Sequence, residues 1–219
     1  AAGRVFKQLS ARVRADDQLG PRLAKAAAKP RDQIAFTDIA EAIAAFIRTK
    51  FAVRHTPFHD FLFERGKMSE AAVRGGLVFY GKGRCSSCHS GPLMSDLEFH
   101  AMPFDQLGFG KNGFGVDYGR YNATLDPGDI YTFRTPPLIN VTRTGPYTHS
   151  GAIPDLATMI RIHSDPLATY DGQSRTQVQR REDLARLLAW GGASELPEPL
   201  SDTDISDVIA FLTTLETED

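Results

Sequence analysis

Cysteine is scarce in this chain: only Cys85 and Cys88 occur among its 219 residues. Two cysteines exclude a disulfide-rich scaffold, and they exclude a four-cysteine zinc site because such a site needs a second pair of thiols. Long apolar runs are also missing, since no stretch approaches the roughly 18 consecutive apolar residues of a membrane-spanning helix. We therefore expect no membrane span.

The chain also has no large excess of positive or negative charge. The formal net charge is −2, and lysine and arginine are spread along the chain, so we expect no nucleic-acid partner. No signal peptide, HExxH motif or Ser/His/Asp arrangement is visible. The glycines of residues 108–119 follow no predicted strand and open no predicted helix, so a nucleotide-binding loop is not indicated.

The two cysteines form one motif with the histidine that follows them. The order Cys85-Ser86-Ser87-Cys88-His89 is typical of covalent attachment of a c-type haem. The two thiols add to the haem vinyl groups and the imidazole binds the iron. A redox-active cysteine pair and half of a zinc site are the alternatives. Because haem c is attached outside the bacterial cytoplasm, we expect a periplasmic protein whose leader was removed or lies upstream.

Apolar periodicity and capping residues predict a helical chain. Residues 1–28 are predicted to form one or two helices, with a break near Gly20-Pro21. A capping box at Asp38 predicts the start of the next helix, over residues 38–53. Further helices are predicted over residues 58–63, 70–80, 154–163, 176–190 and 203–215. Residues 91–130 are rich in glycine with little periodicity, which predicts a long irregular loop.

The helix before the haem motif is expected to pack closely against another helix. Gly76 and Phe79 indicate this, and the last helix, with Phe211 and Leu212, is its natural partner. A first and a last helix that cross beside the haem are typical of class I cytochrome c. The sequence therefore predicts an all-α, class I cytochrome c-like haem domain with long irregular loops (residues 67–219), preceded by a helical linker segment (residues 1–66).

An iron bound by His89 has a second axial position. Spacing alone leaves six candidates for that position: Met94, Met102, Tyr131, His100, His149 and His163. Met94 and Met102 lie so close to His89 in sequence that reaching the opposite face of the haem would need a tight detour. Packing within the haem pocket is the alternative role for both methionines.

Four segments resemble bacterial dihaem cytochrome c peroxidases and their MauG relatives. They are residues 38–62, 71–96, 131–151 and 204–216. Members of that family normally have two haem domains, whereas this chain has one CxxCH motif and resembles the linker and the C-terminal half. The resemblance implies that the peroxide-reacting haem belongs to an N-terminal domain or to a separate chain.

The resemblance also reduces the number of candidate residues for binding the haem. His149 matches the histidine of the family's Pro-Tyr-x-His-x-Gly motif, which implies a role in the haem environment. The second axial ligand of the family comes from the following helix, where peroxidases carry Met and MauG-type enzymes carry Tyr; this position falls on His163. Met159, one turn earlier, and Tyr131 remain alternatives. Two histidine ligands imply a low-spin iron with a lower potential than a His/Met pair gives.

Three further residues follow from the resemblance. The family binds a calcium ion between its haem domains through backbone carbonyls that match Thr144 and Pro146, although a simple Gly-Pro turn is the alternative. Arg134 is a candidate partner for a haem propionate, or else a solvated arginine. The family usually has Leu-Arg-Asn where residues 138–140 read Leu-Ile-Asn, and Arg143 is the candidate to replace that missing charge.

The sequence thus predicts the electron-transfer half of a periplasmic c-type haem oxidoreductase, peroxidase-like or MauG-like, acting with hydrogen peroxide. Its partners would be a second haem domain and either a small electron-donor protein or a protein substrate. A monohaem electron carrier without peroxidase activity is the alternative, and a module docking on a quinone- or copper-dependent enzyme is a third. No catalytic residue is expected in this chain, and His55 and His59 are expected to flank the linker without catalytic work.

Overall fold

A computed structural model describes residues 2–50, 52, 55–106, 115–168, 170–191 and 197–217. These residues form mainly helices, together with one short antiparallel ribbon. The chain divides into two compact units, Ala1–Ala52 and Val53–Asp219. The boundary between the units therefore lies earlier in the chain than the one predicted at residue 66.

Among its described residues, the first unit contains three α-helices: α1 (Ala2–Ala15), α2 (Leu19–Ala27) and α3 (Phe36–Lys50). The chain turns at Asp16, whose carboxylate accepts hydrogen bonds from the backbone amides of Gln18 and Leu19. The helix break therefore precedes Gly20-Pro21. Proline is tolerated there because the first turn of a helix has amides without helical partners.

The start of α3 differs from the predicted capping box. The helix begins at Phe36, so Asp38 lies in its first turn and is not the capping residue. The buried Asp38 carboxylate accepts a hydrogen bond from the Ala35 amide at 2.8 Å and pairs with Lys29 at 2.6 Å. It thus satisfies an amide at the helix start from inside the helix. The predicted end of this run at Val53 lies outside the described residues.

The second unit contains six helices among the described residues: α4 (Pro57–Phe63), α5 (Glu70–Tyr80), α6 (Tyr121–Thr124), α7 (Leu156–Ser164), α8 (Gln177–Gly191) and α9 (Asp202–Thr213). Thr56, Ser69, Asp155 and Ser201 each cap the helix that follows by accepting a backbone N–H. No helix within the described ranges is long and apolar enough to cross a lipid bilayer.

A two-stranded ribbon interrupts the predicted loop. Strand β1 (Phe99–Ala101) pairs antiparallel with β2 (Thr132–Arg134), which places Phe99 opposite Arg134. Strands of three residues are too short to show alternation in a sequence. The prediction of an irregular segment over residues 91–130 is therefore only partly confirmed, and residues 107–114 of it lie outside the described residues.

Helix α4 belongs to the second unit because it packs on α9. The backbone amide of Phe58 donates to the carbonyl of Thr214 at 3.0 Å. The Phe58 ring meets the ring of Phe211 edge-on, with 5.0 Å between centroids. These contacts explain why residues 53–66 group with the haem motif and not with the preceding helices.

Helices α5 and α9 make the central contact of the second unit, as the sequence predicted. Phe79 and Phe211 are buried against each other, with ring centroids 5.1 Å apart. A methyl group on Gly75 would lie 1.8 Å from the carbonyl oxygen of Asp207, whereas one on Gly76 would lie 3.4 Å from the Phe211 ring. The glycine that the crossing requires is therefore Gly75 and not Gly76.

This difference gives a matched pair of substitutions. We expect Gly75→Ala to lower the free energy of unfolding by about 2–3 kcal/mol or more, because the two backbones must separate to admit the methyl group. Gly76→Ala should be neutral or stabilising by up to about 1 kcal/mol, since alanine favours a helix and the ring contact is ordinary. Thermal unfolding of the two variants measures the difference. Equal destabilisation would contradict the close crossing at Gly75.

Candidate haem site

The haem motif follows α5 directly. Residues Cys85–Ser87 form a single 3-10 turn, and the amide of His89 donates to the carbonyl of Cys85 at 2.9 Å. Both thiols are half-buried, and burial raises the pKa of Cys85 to about 11 and also raises the pKa of Cys88. Reactive redox cysteines have lowered pKa values instead. The raised pKa values of the two thiols therefore do not favour a redox pair.

A tight loop orients the His89 ring. Its Nδ1 atom lies 3.0 Å from the carbonyl oxygen of Met94. The loop closes through hydrogen bonds from the Ser95 amide to Ser90 and from the Asp96 amide to Cys88. When Nδ1 donates its proton to a carbonyl, Nε2 keeps a lone pair for a metal. Burial also lowers the pKa of His89, which favours the neutral ring that ligation needs.

His163 shows the same arrangement on helix α7. Its Nδ1 atom lies 2.7 Å from the carbonyl oxygen of Met159, and its ring packs against Phe104 with 5.1 Å between centroids. Burial lowers the pKa of His163 to about 4, and the charge on His89 contributes to that shift. His89 and His163 are both neutral at pH 7, and an Nδ1 atom that donates its proton leaves Nε2 available to a metal.

Two of the other axial candidates have their polar atoms engaged. The hydroxyl of Tyr131 donates to the carboxylate of Glu182, and burial raises its pKa. Nε2 of His100 lies 2.8 Å from a carboxylate oxygen of Asp96. Met94 is buried in the apolar core, which fits the alternative role in packing. These contacts favour His163 over Tyr131, His100 and Met94 as the second axial ligand, while Met102, His149 and Met159 stay alternatives.

Strand β2 carries Arg134 and also Phe133, whose ring contacts His149. The ring of His149 stacks on that of Phe133, with centroids 3.8 Å apart and 11° between the planes. Arg134 is exposed at the end of β2, and no ion pair joins it to a carboxylate among the described residues. Its guanidinium is thus available to a propionate.

The predicted calcium residues, Thr144 and Pro146, lie in an exposed turn that follows the 3-10 turn Val141–Arg143. Backbone hydrogen bonds of 2.7 and 3.3 Å join Tyr147 and Ile153 and hold this turn. Within the described part of the chain, no donor bonds the carbonyls of Thr144 or Pro146. Calcium accepts such carbonyls as ligands, so the turn offers two of the several oxygens that the ion needs.

Arg143 does not simply replace the family's missing arginine. Its Nε atom pairs with the carboxylate of Glu216 at 3.0 Å, which ties the 3-10 turn Val141–Arg143 to the chain after α9. Ile139, at the position of that arginine, packs against the apolar core. The departure from the family pattern therefore exchanges a charge for core contacts.

Sequence reasoning missed the groups that orient the two histidines. The carbonyls of Met94 and Met159 have no sequence signature, because every residue carries a carbonyl. The four-residue spacing between Met159 and His163 is the one available signal, since a helical side chain reaches the carbonyl of the preceding turn. Phe104 and Phe133 were not identified either, because their contacts join segments distant in sequence.

No protein-family model matches the chain. It is similar to cytochrome-c peroxidase IdrP1 of Denitromonas iodatirespirans, with 30% identity over 191 residues that cover 74% of this chain and 51% of that protein. It is also similar to the methylamine utilization protein MauG of Methylophilus methylotrophus, with 30% identity over 190 residues, 84% of this chain and 48% of that protein. The chain thus spans about half the length of these relatives.

Solved structures of related proteins are also similar to this chain in fold. A MauG-like protein associated with microbial copper homeostasis matches with a TM-score of 0.72 and 26% identity, over 97% of this chain and 62% of that one. The dihaem peroxidase BthA of Burkholderia thailandensis shares the fold, with a TM-score of 0.67 and 20% identity over 91% of this chain and 56% of that one. The sequence similarity to IdrP1 and MauG shows that the chain belongs to the family of bacterial cytochrome c peroxidases and MauG proteins.

Proposed function

We propose that this chain supplies the electron-relay haem of a periplasmic dihaem oxidoreductase, peroxidase-like or MauG-like. The observation that carries the proposal is the pair His89 and His163, whose Nδ1 atoms each face a backbone carbonyl. The crossing of α5 and α9 supports a class I cytochrome c-like arrangement around the cofactor. In this proposal the chain corresponds to the C-terminal half of the family's proteins.

The residues present fit one haem c. Cys85 and Cys88 would tether it through thioether bonds, and His89 and His163 would supply two imidazole ligands to its iron, leaving none open to peroxide. Arg134 would neutralise a propionate, and His149 would contribute to the haem environment. When bound, such a haem gains or loses one electron at a time. Hydrogen peroxide must therefore react at another haem.

The partners in this proposal are a second haem domain, on an N-terminal segment or a separate chain, and a small periplasmic electron-donor protein or a protein substrate. The relatives' length supports the second haem domain, because this chain spans about half of them. A calcium ion bound in part by the carbonyls of Thr144 and Pro146 would lie at the junction with that domain. Its other ligands would come from the partner half.

The rate at which hydrogen peroxide oxidises the haem distinguishes the proposed relay function from that of a monohaem electron carrier. We expect natively purified, reduced protein to lose its ferrous haem absorbance rapidly on addition of stoichiometric peroxide, because the second haem delivers the oxidising equivalent. The chain produced by itself should react slowly, since both axial positions are filled. Stopped-flow spectroscopy measures both rates. Fast oxidation of the isolated chain would contradict the closed iron site.

A monohaem electron carrier is the second candidate, favoured by the single CxxCH motif. For a carrier, the natively purified protein would contain one haem per chain and would react with peroxide as slowly as the isolated chain. The same stopped-flow comparison therefore distinguishes the two functions.

A further inference from the structure

A second cluster of metal-ligating side chains lies at α4, outside the haem site. His55, His59, Asp60 and Glu64 each offer one ligand atom, and the four atoms lie within 4.8 Å of one another. All four residues belong to the unit that carries the haem motif. The sequence predicted only that the two histidines flank a linker.

Local structure brings these side chains together. Thr56 caps α4 by accepting a hydrogen bond from the His59 amide at 3.1 Å, which turns the preceding residue back over the first turn. The rings of His55 and His59 then meet edge-on, 5.3 Å apart. Asp60 and Glu64 are one helical turn apart, so their carboxylates reach the same side.

The separations are close to those of a metal site. His55 Nδ1 lies 3.4 Å from Asp60 Oδ1 and 3.8 Å from Glu64 Oε1, and His59 Nδ1 lies 3.6 Å from Asp60 Oδ1. In a tetrahedral zinc site with bonds of about 2.0–2.1 Å, neighbouring ligand atoms are about 3.3–3.5 Å apart. Small side-chain rotations bring the four atoms to that geometry.

An independent observation points to a missing partner. Nδ1 of His59 is sealed from solvent and has no hydrogen-bond partner among the described residues. A desolvated nitrogen without a partner destabilises a fold. The ring nevertheless turns this atom toward Asp60. A metal ion in the cluster would give it the partner that the protein does not.

We propose that His55, His59, Asp60 and Glu64 bind one divalent transition-metal ion of the zinc type, separate from the haem. Imidazole nitrogens with carboxylate oxygens suit zinc, whereas calcium and magnesium favour oxygen ligands alone. Four protein ligands leave no open position, so the ion is structural. It fixes the chain before α4 to that helix, which itself packs on α9 through Phe58.

Zinc binding to the haem-loaded protein tests this site independently of the proposed haem function. We expect isothermal titration calorimetry, with metal analysis after dialysis, to show one Zn²⁺ per chain with a dissociation constant below about 1 µM. His59→Ala should weaken this binding by about 100-fold or more, because loss of an outer-shell partner alone costs 10–100-fold. Asp60→Asn should weaken it as well.

His100→Gln is the matched control: it disrupts a different cluster of described residues, Cys88, Asp96 and His100, in which His100 Nε2 lies 2.8 Å from Asp96, and it should leave zinc affinity unchanged. Zinc should raise the unfolding temperature of the unmodified protein but not that of His59→Ala. If His59→Ala fails to fold, Glu64→Gln, whose side chain is 54% exposed, replaces it. Fewer than one bound zinc per chain, or equal affinity in the α4 variants, would overturn the proposal and leave an ion-pair cluster only.

Discussion

We expect the His163→Ala variant to carry a high-spin ferric haem, whereas the unmodified chain carries a low-spin one. The physical reason is the loss of one of two strong imidazole ligands, which leaves the iron five-coordinate or bound to water. His163 is a buried, neutral imidazole whose Nδ1 atom is engaged by the Met159 carbonyl, so Nε2 is free to bind the iron. Visible absorption and low-temperature EPR spectra of the purified variant measure the change.

The same position should set the potential of the haem. His163→Met should raise the midpoint potential by more than about 0.1 V, because a thioether favours the ferrous state and axial ligands tune haem potentials over about 0.8 V. Met159→Leu and Tyr131→Phe are the matched controls at the two alternative ligands. If either control abolishes the low-spin spectrum while His163→Ala preserves it, the assignment of His163 is wrong.

Covalent attachment is expected to depend entirely on the two cysteines. The double variant Cys85→Ala/Cys88→Ala should lose the mass of one haem from the intact chain, because no other thiol is present in the sequence. Acidified solvent should then extract any haem that remains bound. Mass spectrometry of the denatured chain, before and after extraction, measures the loss.

Single cysteine substitutions distinguish the covalent attachment of the haem from the binding of its iron by the two histidines. Cys85→Ala or Cys88→Ala alone should retain one thioether and a low-spin spectrum, since His89 and His163 still bind the iron. Ser87→Ala, within the motif but without a thiol, should keep the full haem mass. Covalent haem in the double variant, or none in the unmodified protein, would contradict the c-type assignment.

Much of the second unit could be predicted from local sequence. The caps Ser69 and Ser201 mark the starts of α5 and α9, and those helices follow their predictions within one or two residues. The pairing of α5 with α9 was also predicted, from small and aromatic residues near the haem motif. The caps and helix limits could be predicted because each depends on residues a turn or two apart.

Contacts between distant segments could not be predicted in the same way. The sequence favoured Gly76 at the helix crossing, but the backbone of Asp207 approaches Gly75, and only the rotation of α5 decides between adjacent glycines. The capping box assigned to Asp38 failed because Lys29 and Ala35, from the preceding segment, engage that carboxylate. In both cases tertiary partners override a local pattern.

For the candidate site too, features set by local sequence could be predicted, whereas those that depend on the folded structure could not. The haem motif was evident from spacing, and the resemblance supplied His163, but the orientation of both rings depends on carbonyls that a sequence does not distinguish. The cluster at α4 was overlooked because His55 and His59 were considered separately from Asp60 and Glu64. Only the folded cap at Thr56 brings these residues together.

Low-temperature EPR of the natively purified ferric protein distinguishes a dihaem assembly from a single-haem carrier. We predict a low-spin signal from the iron held by His89 and His163, accompanied by a high-spin axial signal from a second, open haem. A low-spin signal alone would contradict the dihaem assembly and support the carrier. A high-spin signal without any low-spin component would contradict the paired histidine ligation on which the account rests.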